Sequence, residues 1–139
     1  NPQADPRLIG LYKSHFQPSA LWAQPYAILT LSVFCADTEE QASALQLTYD
    51  LNLFRFFTGT SNGQSMTPQE ALSYPLGPQE RAFIASRENS RASGTAQQVR
   101  QKIEQLAALH HADEIMAVTN MYYLEDRKRS FQLLQSAFG

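Results

Sequence analysis

Three segments late in the sequence constrain the architecture more than anything else in it. Gly94-Thr95 opens an amphipathic run, Ala112-Asp113-Glu114-Ile115-Met116-Ala117-Val118-Thr119 reads as a strand, and Asp126-Arg127 with Ser130 sits in a second amphipathic run. Helix, strand and helix in that order make half of a repeating β/α pattern. Parallel strands need a crossover long enough to hold a helix, so the pattern implies a parallel sheet or a barrel. The chain offers few other strands to complete either one.

The other strand lies early. Asp5 to Phe16 carries Leu8, Leu11 and Tyr12 at helical spacing until Pro18 stops it. From Pro25 the pattern becomes Tyr26-Ala27-Ile28-Leu29-Thr30-Leu31-Ser32-Val33-Phe34-Cys35. This run is too continuous for a half-exposed strand and predicts a parallel strand buried on both faces. Asp37-Thr38-Glu39-Glu40 then supplies an N-cap and first-turn carboxylates for a helix whose core stripe is Ala42, Leu45, Tyr49, Leu53 and Phe56.

The stretch from 59 to 93 reads as a long helical insertion. Gly59 to Gly63 is a turn or loop, Pro68 and Pro75 punctuate the residues after it, and Pro78 opens a short helix through Ala85. Regularity returns at Thr95, which caps a helix with Val99, Ile103, Leu106 and His110 on one face and an end near His111. A strand over 114–119 comes next. A final helix over 125–137 is expected to turn Phe131, Leu134 and Phe138 inward and to leave Arg127, Lys128 and Arg129 mostly solvated.

Composition narrows the function classes. The 139 residues suit one domain, and 43% hydrophobic content is enough for a core. A net charge of −2 supplies no basic stripe, which argues against nucleic acid as a partner. The longest apolar stretch, Tyr26 to Ala36, is about half of a membrane span, which argues against a membrane partner. One cysteine, Cys35, excludes an internal disulfide framework and fits a cytoplasmic location. The chain opens at Asn1 with no visible signal peptide, and is expected to be a fragment.

Most catalytic constellations are missing. His110 and His111 point about 100° apart on a helix, and His15 is the third and last histidine, so no metal site is expected. No Gly-x-Ser-x-Gly elbow is present, and Gly59 to Gly63 lacks the lysine of a phosphate-binding loop. Cys35 reads as a small core residue, and Glu39-Glu40 and Asp113-Glu114 read as cap and strand-edge carboxylates. Position singles out one cluster. In β/α architectures the C-terminal strand ends line the site, and Thr119, Asn120, Met121, Tyr122 and Tyr123 come after the last strand as Cys35, Ala36 and Asp37 come after the earlier one. Thr119, Asn120, Tyr122 and Tyr123 are the substrate-pocket candidates; as a capped strand with two tyrosines over the rim, they would have no such role.

The series Phe16-Gln17-Pro18-Ser19, Pro25-Tyr26, Ala36-Asp37-Thr38-Glu39-Glu40-Gln41-Ala42, Gly94-Thr95 with Val99, Ala112-Asp113-Glu114-Ile115-Met116, and Asp126-Arg127 with Ser130, Leu133 and Leu134 resembles the C-terminal part of bacterial luciferase-like, flavin-dependent monooxygenases. The resemblance covers nearly the whole chain and is weakest over 59–93. It implies an α/β fold, a partial (β/α)8 TIM barrel consisting of about the last two β/α units. It also implies reduced FMN, or a deazaflavin in some branches, as cofactor of a parent enzyme that is generally dimeric and acts on a small molecule.

Complete members of that family are more than twice this long, and most of the flavin site lies in the missing earlier strands. No catalytic or cofactor-binding residue is therefore carried onto this sequence, and the chain alone is expected to bind no flavin and to be inactive. Two strands cannot close a barrel, so their unpaired edges predict either a homo-oligomer or pairing with the missing N-terminal barrel part. The alternative is a non-catalytic, self-associating α/β interaction module derived from that barrel.

Overall fold

The computed structural model describes residues 5–139. Its centre is a parallel sheet of three strands: β1 (Ile28–Cys35), β2 (Arg91–Gly94) and β3 (Glu114–Val118), in the order β2-β1-β3. Register is continuous across the middle strand. Ser32 to Cys35 pair with Arg91 to Gly94 on one side, and Ile28 to Ser32 pair with Glu114 to Val118 on the other. The expectation of two strands was one short. Arg91-Ala92-Ser93-Gly94 has no apolar alternation to announce it, and it becomes a strand only because β1 offers it a partner.

The helices divide between the two sheet faces. Leu29, Leu31, Val33 and Cys35 of β1 pack with Val99, Ile103 and Leu106 of α5 (Ala96–His110) and Leu134 of α6 (Leu124–Phe138). On the opposite face Phe34 packs with Ala42 and Leu45 of α2 (Glu39–Phe57) and with Met121. A third cluster, Leu51 with Met66 and Ala71, seats the short α3 (Pro68–Leu72) on α2. Within the stretch expected to be a helical insertion, α3, α4 (Pro78–Ser86) and a 3-10 turn at Glu88–Ser90 are the helical parts, and its last residues, 91–93, belong to β2 instead.

Local signals explain the ends of these elements. Thr38 Oγ1 accepts from the Gln41 amide at 3.2 Å to start α2, and Thr67 and Glu70 form a capping box on α3. Helix α5 holds Val99, Ile103, Leu106 and His110 buried on one face, as their spacing requires. It stops at His111, whose left-handed backbone (φ 54°) turns the chain toward β3. Asp113 then ties three segments together. Its carboxylate accepts from Lys13 Nζ of α1 (Arg7–His15) at 2.9 Å and from the Ala27 amide at 2.8 Å, and these hydrogen bonds hold its pKa below the ordinary carboxylate value.

Several expected core positions face solvent instead. Strand β1 is not buried on both faces along its length: Ile28 and Thr30 are exposed, because α2 covers only its C-terminal half. Phe56, at the end of the predicted stripe of α2, is 71% exposed, while Thr48, Asp50 and Leu51 are buried. In the last turns of α2 it is Phe54 and Phe57 that meet Phe83 of α4, with centroids 5.6 and 6.2 Å apart, which leaves Phe56 turned outward. Phe131 and Phe138 of α6 are likewise about half exposed, and the inward positions are Ser130 and Leu134. Ser130 is fully buried because its Oγ accepts the Cys35 amide at 3.2 Å, a neighbour too close for a larger side chain. Of the basic triplet, Arg129 pairs with Asp37 at 2.7 Å, Lys128 with Glu125 at 2.8 Å, and Arg127 donates to the Met121 carbonyl at 3.3 Å.

Candidate functional site

The C-terminal ends of β1 and β3 point the same way, and the segment after β3 passes over them toward α2. There the expected candidates separate. Tyr122 and Asn120 line a cleft of about 290 Å³ between this segment and the Tyr49, Asn52 and Leu53 face of α2. Tyr122 also lines a second, larger cleft of about 860 Å³ with Arg55, Met66, Glu70 and Tyr74. Tyr123 packs edge-to-face on Tyr122, ring centroids 4.9 Å apart, and precedes the first turn of α6. Thr119 is 4% exposed and lines neither cleft, and its Oγ1 has no hydrogen-bond partner.

The residue that shapes this cleft was not visible in the sequence. Asn52 donates from Nδ2 to the Thr48 and Met66 carbonyls at 2.9 and 3.0 Å and accepts the Met66 amide through Oδ1 at 2.7 Å. The amide thus pairs with both backbone groups of Met66, in the loop before α3, as a neighbouring strand would. It pins the loop after α2 against that helix and fixes the floor on which Tyr122 stands. An asparagine inside a helix is a weak helix former, and that was the only hint it carried.

Cys35, Ala36 and Asp37 are close by but supply no nucleophile. Burial pushes the Cys35 thiol up to about 11, with Asp37 adding to the shift and Arg129 opposing it. A thiol so far from ionisation is a core group. Folded protein treated with iodoacetamide at about pH 8 should remain unmodified at Cys35, while urea-unfolded protein gains one adduct by intact mass. Alkylation of the folded state at the unfolded rate would show the thiol to be accessible.

A buried ion-pair network lies on the opposite flank of α2. Asp50 is fully buried, and its carboxylate accepts from Arg87 Nε at 2.9 Å and from Arg91 Nη1. Arg91 also donates to the Ile84 carbonyl at 3.0 Å. Arg87 stacks over the rings of Tyr49 and Phe83, 5.5 and 5.8 Å from their centroids. Burial raises the Asp50 pKa, and the two guanidiniums oppose that shift. The network links α2, α4 and β2 and so holds the cleft wall in place. An aspartate in mid-helix, between Tyr49 and Leu51, was its one sequence signal.

No cluster of three or more metal-ligating side chains exists among the described residues. Nor is any helix among them long and apolar enough to cross a membrane.

The geometry defines an α/β protein with a parallel sheet and an aromatic-rimmed cleft at the strand ends, where such sheets carry their sites. No known family profile matches the chain. It is 35% identical over 128 residues to the uncharacterized protein YwcH of Bacillus subtilis, covering 92% of this chain and 38% of that protein. It is 26% identical over 123 residues to a luciferase-like monooxygenase of Escherichia coli, covering 88% of this chain and 36% of the relative. The crystal structure of apo-MsnO8 superposes on 99% of the chain with a TM-score of 0.85 at 26% identity, and the match spans 42% of that structure. The chain thus spans about two-fifths of the length of the proteins it matches. It is distantly homologous to a luciferase-like monooxygenase.

Proposed function

We propose that the chain is the C-terminal portion of a luciferase-like, flavin-dependent monooxygenase built on a (β/α)8 barrel, with its 139 residues forming a single domain. The observation that carries this reading is the match to the luciferase-like monooxygenase of Escherichia coli over 88% of the chain. The open sheet agrees with it. Both outer edges of a three-stranded parallel sheet are left to pair with further strands, as in a barrel cut short.

Within that reading, Asn120 and Tyr122 form part of the substrate wall, with Tyr123 buttressing Tyr122 and Thr119 anchoring the strand end. Met121 and the Tyr122 ring give this wall an apolar surface that excludes water from a bound small molecule. Reduced FMN, when held by a complete barrel, supplies the electrons for dioxygen activation. The cleft fits the substrate side better than the flavin. Arg127 is the one cationic side chain lining the smaller cleft, and Tyr49, Leu53, Phe56 and Met121 make the rest of that lining largely apolar.

The test replaces the matching segment of the Escherichia coli relative with this chain and titrates both chimera and isolated chain with FMN, following visible absorbance and native mass. The chimera should bind flavin stoichiometrically and the isolated chain should bind none. A folded chimera without flavin uptake would overturn the assignment, and stoichiometric uptake by the isolated chain would overturn the idea that its site is incomplete.

A second reading, a self-associating module without catalysis, is favoured by the apolar residues exposed on the open sheet face, Ile28 at 48% and Met116 at 49%. Native mass on the isolated chain separates these uses of the surface. A defined homo-oligomer supports self-association through the sheet, and a stable monomer counts against it.

A further inference from the structure

We propose that Asn62-Gly63, in the loop between α2 and α3, is a site of spontaneous covalent modification, at which the Gly63 backbone nitrogen closes on the Asn62 side-chain amide and expels ammonia. The product is an aspartyl or isoaspartyl residue on the wall of the larger cleft, which Asn62 lines. Only residues of this chain take part, so the inference does not depend on the monooxygenase reading.

The step balances with water as the co-reactant. The Gly63 amide gives its proton to solvent base, and its nitrogen forms a bond to Asn62 Cγ. The Cγ–Nδ2 bond then breaks, and the amine leaves as ammonia with a proton from water. A five-membered imide remains. Water adds to either of its carbonyls and opens the ring, giving aspartate when it attacks the side-chain carbonyl and isoaspartate when it attacks that of the main chain. Nothing is oxidised or reduced.

Position selects this asparagine among those in the chain. A β-carbon on the following residue hinders the approach of its nitrogen, and Gly63 has none. Its φ of 83° also lies in the left-handed region that glycine enters freely. Both residues are exposed, so water and base reach them. The Gly63 amide is held only by Ser61 Oγ at 3.3 Å and has no backbone acceptor among the described residues. The other asparagines are followed by less available nitrogens. Asn1 precedes a proline, which has no N–H. Asn52 precedes Leu53 inside α2, where the amides belong to the helix. Asn89 is exposed, but Ser90 after it is buried and donates its amide to the Arg87 carbonyl at 3.0 Å. Asn120 precedes Met121, which is buried.

The Asn62 side chain is presented for the same step. Its Oδ1 accepts from Arg55 Nη2 at 3.1 Å and from the Gln64 amide at 3.2 Å. Negative charge develops on this oxygen as nitrogen adds to Cγ, and a guanidinium and an amide already stand there to receive it. Nδ2, the leaving group, has no hydrogen-bond partner among the described residues. Conversion then changes the cleft wall that Arg55, Asn62 and Glu70 share. An aspartate pairs with Arg55 through a charge-assisted bond in place of a neutral one. An isoaspartate lengthens the main chain by one atom and shifts the loop.

Incubation of the 139-residue chain for several days at about 37 °C and about pH 8, followed by intact mass and peptide mapping, tests this. Mass should rise by about one dalton, with aspartate and isoaspartate both found at position 62 and the other asparagines unchanged. Asn62→Gln, whose longer side chain must close a six-membered ring, should convert roughly tenfold more slowly or less. Arg55→Gln, which removes the cation from Oδ1, should convert several-fold more slowly than the parent. No mass rise, or a rise that maps first to Asn89 or Asn120, would overturn the site. Conversion of the Arg55→Gln variant at the parent rate or faster would overturn the part given to Arg55.

Discussion

Asp50→Ala is expected to lower stability by about 3–5 kcal/mol, enough to move the thermal midpoint down by roughly 10–20 °C. The reason is what the substitution leaves behind. Arg87 and Arg91 are 5% and 3% exposed, and without Asp50 their charges stay buried with no carboxylate between them. The comparison that isolates this cause is the triple variant Asp50→Leu, Arg87→Met, Arg91→Met. Replacing a whole buried ionic group with apolar side chains of similar size is often neutral or stabilising, so the triple variant should unfold much closer to the parent than Asp50→Ala. Circular dichroism during heating reads both. If the triple variant loses as much as the single one, packing around α2 is the cause and the charge account fails.

Leu31→Ala should cost about 2.5–5 kcal/mol, read as a lower urea midpoint with an unchanged slope. Leu31 is fully buried at the centre of the middle strand and belongs to the cluster with Val99, Ile103 and Leu106. That cluster joins the sheet to both α5 and α6. A cavity there cannot be closed by moving one element without opening a gap against another. Leu8→Ala on α1 is the control, since Leu8 is 53% exposed and its truncation should change stability by no more than about 0.5 kcal/mol. Equal losses in the two variants would mean that the sheet centre is not the core.

Helices with strong ends were legible residue by residue. Thr95, the Val99-Ile103-Leu106-His110 face and the stop near His111 agree with the structure because caps and a 3.6-residue period are properties of neighbouring residues. The stripe of α2 was legible only in its first half. Ala42 and Leu45 are buried, but Phe56 is exposed, because periodicity shows which face is apolar and not which of its residues a neighbouring element covers. The candidate cleft was legible by place more than by residue. Tyr122 and Asn120 line the smaller cleft, whereas Asn52, which shapes it, acts through Met66, 14 positions away.

The sequence by itself determined the kind and order of the main elements, the two long strands of a parallel sheet, and a resemblance that its distant relatives support in coarse form. These depend on short-range patterns: capping residues, apolar periods and proline or glycine breaks. Tertiary structure alone decided that Arg91–Gly94 is a strand, that β1 lies between β2 and β3, and that Asp50 meets two arginines 37 and 41 residues away. The physical reason is the same each time. A strand without alternation exists only when a neighbour takes its hydrogen bonds, and a charge can be buried only when its partner arrives from elsewhere in the chain.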